Sequence, residues 1–441
     1  MIPRLSPIRG KILVETNTND HVKTFYYQQT LDHFNFFPQR YFINFKYWGG
    51  ANSTAPIFVT FGGGEELDPK DFVGFVEENA AAFKALLVYI EHRYYGKSVP
   101  FGTKEEVLKN IGYFNSAQAL ADYAAVLIHI KKILHAERSP IVAVGGSYSG
   151  MLASWFRLKY PHHLAICALA SSAPILFIED MIQPNAYFDV VSRDFKEASA
   201  TSRPNGLSLL SEIFNTCKPL NHSVELSDYL KGMYMGAAQY NMPPDYPVNK
   251  ICKAIDQASL GNNNILDKIY LGLVAGYGNQ TCLDTSPTYS SQFFMGWGWQ
   301  TCTEMVIPIG IGNDTMFQPS PFNLKQFVKK CKKDYGVAPR PHWISTYYGG
   351  QNIKLVLRRS SSNIIFSNGL KDPYSSGGVL TNLSKSLVAI TTVNGFHCLD
   401  LMASQQTDPK WLIEQRKKEV KIIKRWIKQY YNDLRTLTLE E

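Results

Sequence analysis

The chain has 441 residues, 45% of them hydrophobic and 19% charged, which is enough apolar material for one or more globular units with a large core. The formal net charge is +8, but the basic residues are dispersed apart from a cluster at 329–333 and a C-terminal run at 416–425. That run carries Trp411, Val420, Ile423 and Trp426 at helical spacing, so it reads as the solvated side of a helix, and nucleic acid is not an expected partner.

In chain order, residues 41–48, 56–61 and 85–90 read as strands, and 117–134 has helical periodicity. A strand at 141–144 is broken by Gly145-Gly146, a helix follows at 151–159, and 164–169 is a further strand. Strands alternating with helices predict a parallel sheet covered on both faces. Residues 179–339 differ. They are polar, rich in Pro and Asn, helical in fragments, and hold Cys217, Cys252, Cys282, Cys302 and Cys331, five of the seven cysteines. The sheet pattern returns with strands at 363–366 and 386–393, and a helix at 410–434 closes the chain. The expected class is α/β: an α/β-hydrolase fold with an inserted, mostly helical cap, divided as 1–178, 179–339 and 340–441.

No apolar run approaches the about 20 residues of a membrane span. The N-terminus, Met1-Ile2-Pro3-Arg4-Leu5, has no apolar h-region, so no signal peptide is visible in the sequence given. No CxxC spacing occurs, and neither a metal nor another cofactor is expected. Sequons fall at Asn52, Asn221, Asn279, Asn313 and Asn382. With the clustered cysteines they favour the secretory route, ending in a lysosome, a vacuole or the extracellular space.

Chemistry concentrates in three places. Val144-Gly145-Gly146-Ser147-Tyr148-Ser149-Gly150 lies between a strand and a helix, where a nucleophile elbow belongs. Residues two before and two after the serine must be small; Ser149 stands where the pattern has glycine, so strain is expected there. A plain Gly/Ser turn fits the same letters. Asp372 follows the 363–366 strand and His397 follows the 386–393 strand, giving the chain order Ser, Asp, His. Asp400, three residues beyond the histidine, is a weaker rival for the acid. A serine hydroxyl needs a base to take its proton, and the base needs a carboxylate to fix its tautomer. The oxyanion donors expected are the N–H of Tyr148 and the turn holding Gly63 and Gly64, although Gly62-Gly63-Gly64 also fits a simple flexible turn. His92 is expected to be structural, His162 and His163 to lie on a solvated loop, Trp297 and Trp299 to pack in the core or cap, and Cys398 to be a small buried side chain.

The chain resembles the lysosomal Pro-X carboxypeptidase and dipeptidyl peptidase II family of serine peptidases, particularly its plant Pro-X carboxypeptidase-like branch. The matching stretches are TFYYQQTLDHFN at 24–35, IEHRYYGKSVPFG at 90–102, GGSYSGMLASWFRLKYPH at 145–162, ALASSAPI at 168–175, WQTCTEMVIPIG at 299–310, SNGLKDPYSSGGV at 367–379 and NGFHCLDL at 394–401. The resemblance implies an α/β-hydrolase domain with a disulfide-containing helical cap. It places nucleophile, acid and base on Ser147, Asp372 and His397, and cysteine pairs on Cys217–Cys282 and Cys302–Cys331. It implies an exopeptidase cutting next to proline, with Met151 and Tyr374 against the proline ring. The expected partners are peptides with a proline near one end, and a homodimer is left open. The chain departs from the family at Ser149, at a shortened stretch after Lys196 that leaves Cys252 without its partner, at Cys398 in place of a second histidine, and at Tyr374 in place of tryptophan. An ester hydrolase on the same triad, or an inactive family member, are the rival readings.

Overall fold

The computed structural model describes residues 14–16, 21–32, 35–160, 164–178, 181–196, 207–259, 265–278, 280–285 and 294–440. Nine strands form one sheet in the order β1-β2-β3-β5-β4-β6-β7-β8-β9. They are β1 (Val14–Thr16), β2 (Val22–Thr30), β3 (Phe36–Asn44), β4 (Ile57–Phe61), β5 (Leu86–Ile90), β6 (Ile141–Gly146), β7 (Cys167–Ser171), β8 (Ile364–Gly369) and β9 (Leu387–Thr392). From β5 to β9 every neighbouring pair is parallel. β1, β2 and β3 pair antiparallel, and β3 pairs antiparallel with β5, so the sheet is mixed and not wholly parallel.

β2 escapes a hydropathy reading because Lys23, Thr24, Gln28, Gln29 and Thr30 interrupt its apolar letters. Gln29 is buried, yet its amide donates to the side chain of Gln39 on β3 at 2.9 Å and to the Asp122 carbonyl at 3.1 Å. Two glutamines that satisfy one another can sit in a core that neither could enter alone. β3 also begins five residues earlier than expected, at Phe36, and carries Pro38 opposite Gln28.

The helices are α1 (Phe75–Phe83), α2 (Lys104–Lys109), α3 (Ser116–Ile133), α4 (Ser147–Lys159), α5 (Ala186–Lys196), α6 (Leu207–Ile213), α7 (Ser223–Gln239), α8 (Pro247–Ser259), α9 (Ile265–Tyr277), α10 (Leu324–Tyr335), α11 (Trp343–Tyr348), α12 (Ile353–Ser360) and α13 (Lys410–Glu440), besides single turns. Side chains alternate along β4. Ile57, Val59 and Phe61 join a core with Leu120, Tyr123 and Leu127 of α3 and Leu152, Trp155 and Phe156 of α4. Phe58 joins the opposite core, with Phe75 and Ala80 of α1 and Ile423 and Trp426 of α13. Both faces of the sheet are thus covered by helices. On α13, Leu412, Gln415, Glu419, Ile423 and Trp426 are buried at intervals of three or four, while Lys417, Lys418, Lys421 and Lys424 are exposed. The lysines of the basic C-terminal run form the outer face of that helix, while Arg416 is buried against Asp408 and the carbonyls of Leu399, Asp400 and Met402.

Between β7 and β8 the regular elements of the described chain are helices, with loops and isolated bridges between them, yet β7 and β8 are neighbours in the sheet. Disulfides join Cys217 to Cys282 and Cys302 to Cys331, as the resemblance implies, and Cys252 is a buried free thiol. Asn52, Asn221, Asn313 and Asn382 are exposed; Asn279, His162, His163 and the shortened stretch at 197–206 lie outside the described residues. Among the described residues no helix is long and apolar enough to cross a membrane.

Candidate active site

β6 passes into α4 without a loop: Gly146 ends the strand and Ser147 begins the helix, four residues earlier than the expected start at 151. The cluster Gly145, Gly146 and Gly150 reads as helix-breaking, but these glycines are what allow the turn. A Cβ on Gly145 would lie 2.4 Å from the Ser149 carbonyl oxygen, and one on Gly150 would lie 2.8 Å from the Gly145 carbonyl oxygen. Ser147 itself has φ +54°, the left-handed region that costs an L-residue about 1–2 kcal/mol. This is the geometry of a nucleophile elbow.

Ser149 is not the source of strain anticipated from its letter. Its hydroxyl donates to the Phe61 carbonyl at the end of β4 at 2.6 Å. Its Cβ fits because the facing residue has none: a Cβ on Gly63 would lie 3.0 Å from it. The glycine missing from the elbow is matched by a glycine across the contact. The same approach brings the Gly62-Gly63-Gly64 turn onto the elbow beside the first turn of α4, where the Tyr148 N–H lies. Gly64 has φ +119°.

The loops after β8 and β9 are bound to each other. Lys371 N–H donates to the Gly395 carbonyl at 3.0 Å, and Leu370 N–H donates to Thr392 at 2.9 Å. A Cβ on Gly369 would lie 2.1 Å from the carbonyl carbon of Gly395. These contacts bring Asp372 and His397 together: Nδ1 of the imidazole and Oδ2 of the carboxylate are 2.8 Å apart, at 3% and 0% side-chain exposure. The other carboxylate oxygen accepts the Tyr374 N–H at 3.0 Å. Asp400, the rival acid, instead accepts from the Ser171 hydroxyl at 2.5 Å. Cys398 is buried and has φ +53°, and its sulfur would lie 2.6 Å from a Cβ on Gly146, so the histidine loop abuts the elbow. Burial works against the imidazolium of His397. The Cys398 sulfur and the Asp372 carboxylate work for it through charge and hydrogen bonds, and the balance raises its pKa.

Aromatic rings crowd the histidine. Tyr374, half-buried, lies 5.5 Å away and Tyr240, 48% exposed, 5.8 Å away between ring centroids; Tyr187 stands 4.9 Å from Tyr374 in an edge-on contact. Met151, one turn beyond Ser147, is buried in the core that holds α3 and α4. Trp299 is buried and Trp297 packs 5.3 Å from the Tyr148 ring. His92 is wholly buried, with burial pushing its pKa down to about 3, and its Nε2 reaches the Tyr148 hydroxyl. That contact, and the link from Tyr148 to Gln300, were not legible in the sequence. Among the described residues no group of three or more His, Cys, Asp or Glu side chains is placed to hold a metal ion.

Buried carboxyls in the molecule make its stability depend on pH. Burial pushes Glu304 and Glu77 up to about 7, and burial followed by the charge of Asp400 holds Glu419 well above the carboxylate range. Each binds its proton more tightly in the folded state. The stability so gained is full below the unfolded value of about 4.3 and is lost as pH rises through about 7 for the first two. His92 opposes the trend, since its contribution is lost as pH falls from about 6.5 toward 3. Asp122, which burial pushes up to about 6, and His397, whose pKa is also raised, act in the same direction, and together these groups outweigh His92 and the lowered His129 to leave a net loss with rising pH. Calorimetry should find a melting temperature several degrees higher at pH 5 than at pH 7.5, and an equal or reversed order would contradict this electrostatic account.

Residues 29–419 match the family model Serine carboxypeptidase S28. The chain is 36% identical to human lysosomal Pro-X carboxypeptidase over 92% of its own length and 88% of the relative's. It is 30% identical to prolyl carboxy peptidase like protein 5 of Caenorhabditis elegans, over 89% and 86%. Among solved structures, a peroxisomal alpha-beta-hydrolase of Saccharomyces cerevisiae aligns over 93% of this chain and 87% of that one, at 11% identity and a TM-score of 0.37. The family match spans the elbow, both loops and the whole helical segment, and this chain belongs to the serine carboxypeptidase S28 family.

Proposed function

We propose that the protein is a serine exopeptidase that cuts peptides next to proline in the manner of a Pro-X carboxypeptidase, with Ser147 as nucleophile, His397 as general base and Asp372 as its orienting acid. The observation that carries this reading is the buried 2.8 Å contact between His397 Nδ1 and Asp372 Oδ2 on a loop that abuts the Ser147 elbow. With Nδ1 donating to the carboxylate, Nε2 is the nitrogen left to accept the serine proton. The Ser147 oxygen attacks the scissile carbonyl. The N–H of Tyr148, with Gly63 or Gly64, receives the developing oxyanion. The protonated imidazole then gives its proton to the leaving amine, and water, deprotonated by the same nitrogen, cleaves the acyl-enzyme.

Specificity follows from the aromatic wall. A proline ring is rigid and apolar, and Tyr374 and Tyr240 offer ring faces and edges beside the base, with the buried Tyr187 packed behind Tyr374; Met151, also assigned to this pocket, is buried in the core of α3 and α4 and would have to reach it from there. The segment 179–339 acts as a cap, supplying Tyr187 and Tyr240. The family's relatives named lysosomal support a place on the secretory route. The test is a panel of dipeptides and tripeptides with proline at each position, set against short-chain esters. Release of a single C-terminal residue after proline, with Ala-for-Pro analogues at least tenfold poorer in kcat/KM, is expected. Turnover of esters alone would remove the peptidase reading.

A further inference from the structure

Ser147 sits in a disfavoured backbone conformation, and α4, which begins there, has no side-chain cap. Something must hold its first turn in place, and the Tyr148 side chain is built to do so. It is buried, and its hydroxyl has two partners: His92 Nε2 at 3.2 Å and Gln300 Nε2 at 2.8 Å. The directions of these bonds are determined. His92 Nδ1 lies 2.7 Å from the Arg93 carbonyl oxygen, which can only accept, so Nδ1 carries the proton and Nε2 is an acceptor. Tyr148 therefore donates to His92 and accepts from the Gln300 amide. The orientation of that amide is fixed in turn, because a phenol that has given its proton to His92 can only accept, so the amide nitrogen faces Tyr148 and the amide oxygen accepts from the Tyr95 hydroxyl at 2.8 Å. The same Gln300 nitrogen also reaches Glu304 at 3.2 Å, and Glu304 accepts from both the N–H and the hydroxyl of Ser116 at the start of α3. His92, Gln300 and Glu304 are wholly buried. A buried chain with each direction satisfied has a single low-energy arrangement, since a reversed member would leave a desolvated group unpaired.

Gln300 does not come from the sheet. It belongs to the helical segment between β7 and β8, 152 residues from Tyr148, next to the Cys302–Cys331 disulfide. We propose that Gln300 and His92 are positioning residues for catalysis, clamping the Tyr148 phenol between them so that the backbone N–H of Tyr148 is held at the oxyanion. This rests on the nucleophile and oxyanion assignments above. Neither side chain touches substrate; they act through Tyr148, and seating of the helical segment becomes a condition for a competent elbow.

The test uses the full chain with three variants: Tyr148→Phe, Gln300→Glu and Gln300→Leu. Melting temperature, Ser147 labelling by a fluorophosphonate, kcat and KM are measured on each. Removing an oxyanion donor outright costs about 10²–10³ in kcat, so misplacing one should cost about 10–100-fold, with KM within about threefold of the parent. Gln300→Glu gives a sharper signature. Its carboxyl can donate to the phenol only when protonated, so its deficit in kcat relative to the parent should shrink as pH falls. A merely structural role would lower the melting temperature and leave kcat per labelled site unchanged, and that result overturns the proposal even if Tyr148→Phe fails to fold, because Gln300→Glu carries the same test. If the parent labels at Ser147 and all folded variants keep its kcat, the clamp fails while the peptidase reading stands. If the parent does not label at Ser147, both fall.

Discussion

Replacing Asp372 with Asn is expected to lower kcat by about 10⁴-fold while leaving the fold in place. The carboxylate holds two groups, His397 Nδ1 at 2.8 Å and the Tyr374 N–H at 3.0 Å, and it is wholly buried. An Asn can keep its carbonyl toward the Tyr374 N–H, but its NH₂ then faces Nδ1 and donates to it. The imidazole adopts the other tautomer, Nε2 carries the proton, and it cannot accept the one on Ser147. Because the change is isosteric and the loop is held by the main-chain bonds to Gly395 and Thr392, melting should shift little. Steady-state kinetics on the best proline peptide check it. A loss below tenfold would mean that another group orients the base, and Asp400, which accepts from Ser171, is not in a position to do so.

The second large effect is on stability. Asp122 of α3 and Arg93, which follows β5, form a buried bidentate pair, with Nε and Nη2 each 2.6 Å from a carboxylate oxygen. Arg93 also donates to the Tyr113 and Thr30 carbonyls at 3.1 and 3.3 Å, and its guanidinium lies 5.5 Å from the Phe37 ring. Side-chain exposure is 0% for Arg93 and 3% for Asp122. Asp122→Ala leaves a desolvated cation with carbonyls as its only polar partners and should cost about 3–5 kcal/mol. The double change Arg93→Met with Asp122→Leu should recover much of that, because no charge is then left buried. Urea denaturation reads both. A double variant as unstable as Asp122→Ala would show that shape, and not the orphaned charge, sets the loss.

What the sequence disclosed and what it hid have a common cause. Letters report local geometry well where one residue type is required. The small residues flanking Ser147, the strand-end positions of Asp372 and His397, and the apolar runs of β4 to β9 were readable for that reason. Contacts between polar residues far apart in the chain left no local trace. Lys23, Gln28 and Gln29 disguised β2 as a polar segment, and the antiparallel edge of the sheet went unseen with it. Ser149 read as a defect because its remedy, Gly63, lies 86 positions away. His92 read as structural, which fits its burial, but nothing in its neighbours pointed to Tyr148 or to Gln300. The glycines around Ser147 hid the start of α4, since the close packing that makes them necessary is invisible until strand and helix are placed together.

The claim at the centre of the account is that the hydroxyl of Ser147 becomes nucleophilic through His397. Reaction of the intact protein with a fluorophosphonate, followed by peptide mapping, tests it directly. One phosphonyl adduct is expected on Ser147, absent from Ser147→Ala and formed at least a hundredfold more slowly in His397→Ala. Labelling that persists in Ser147→Ala, or is indifferent to the loss of His397, would contradict it.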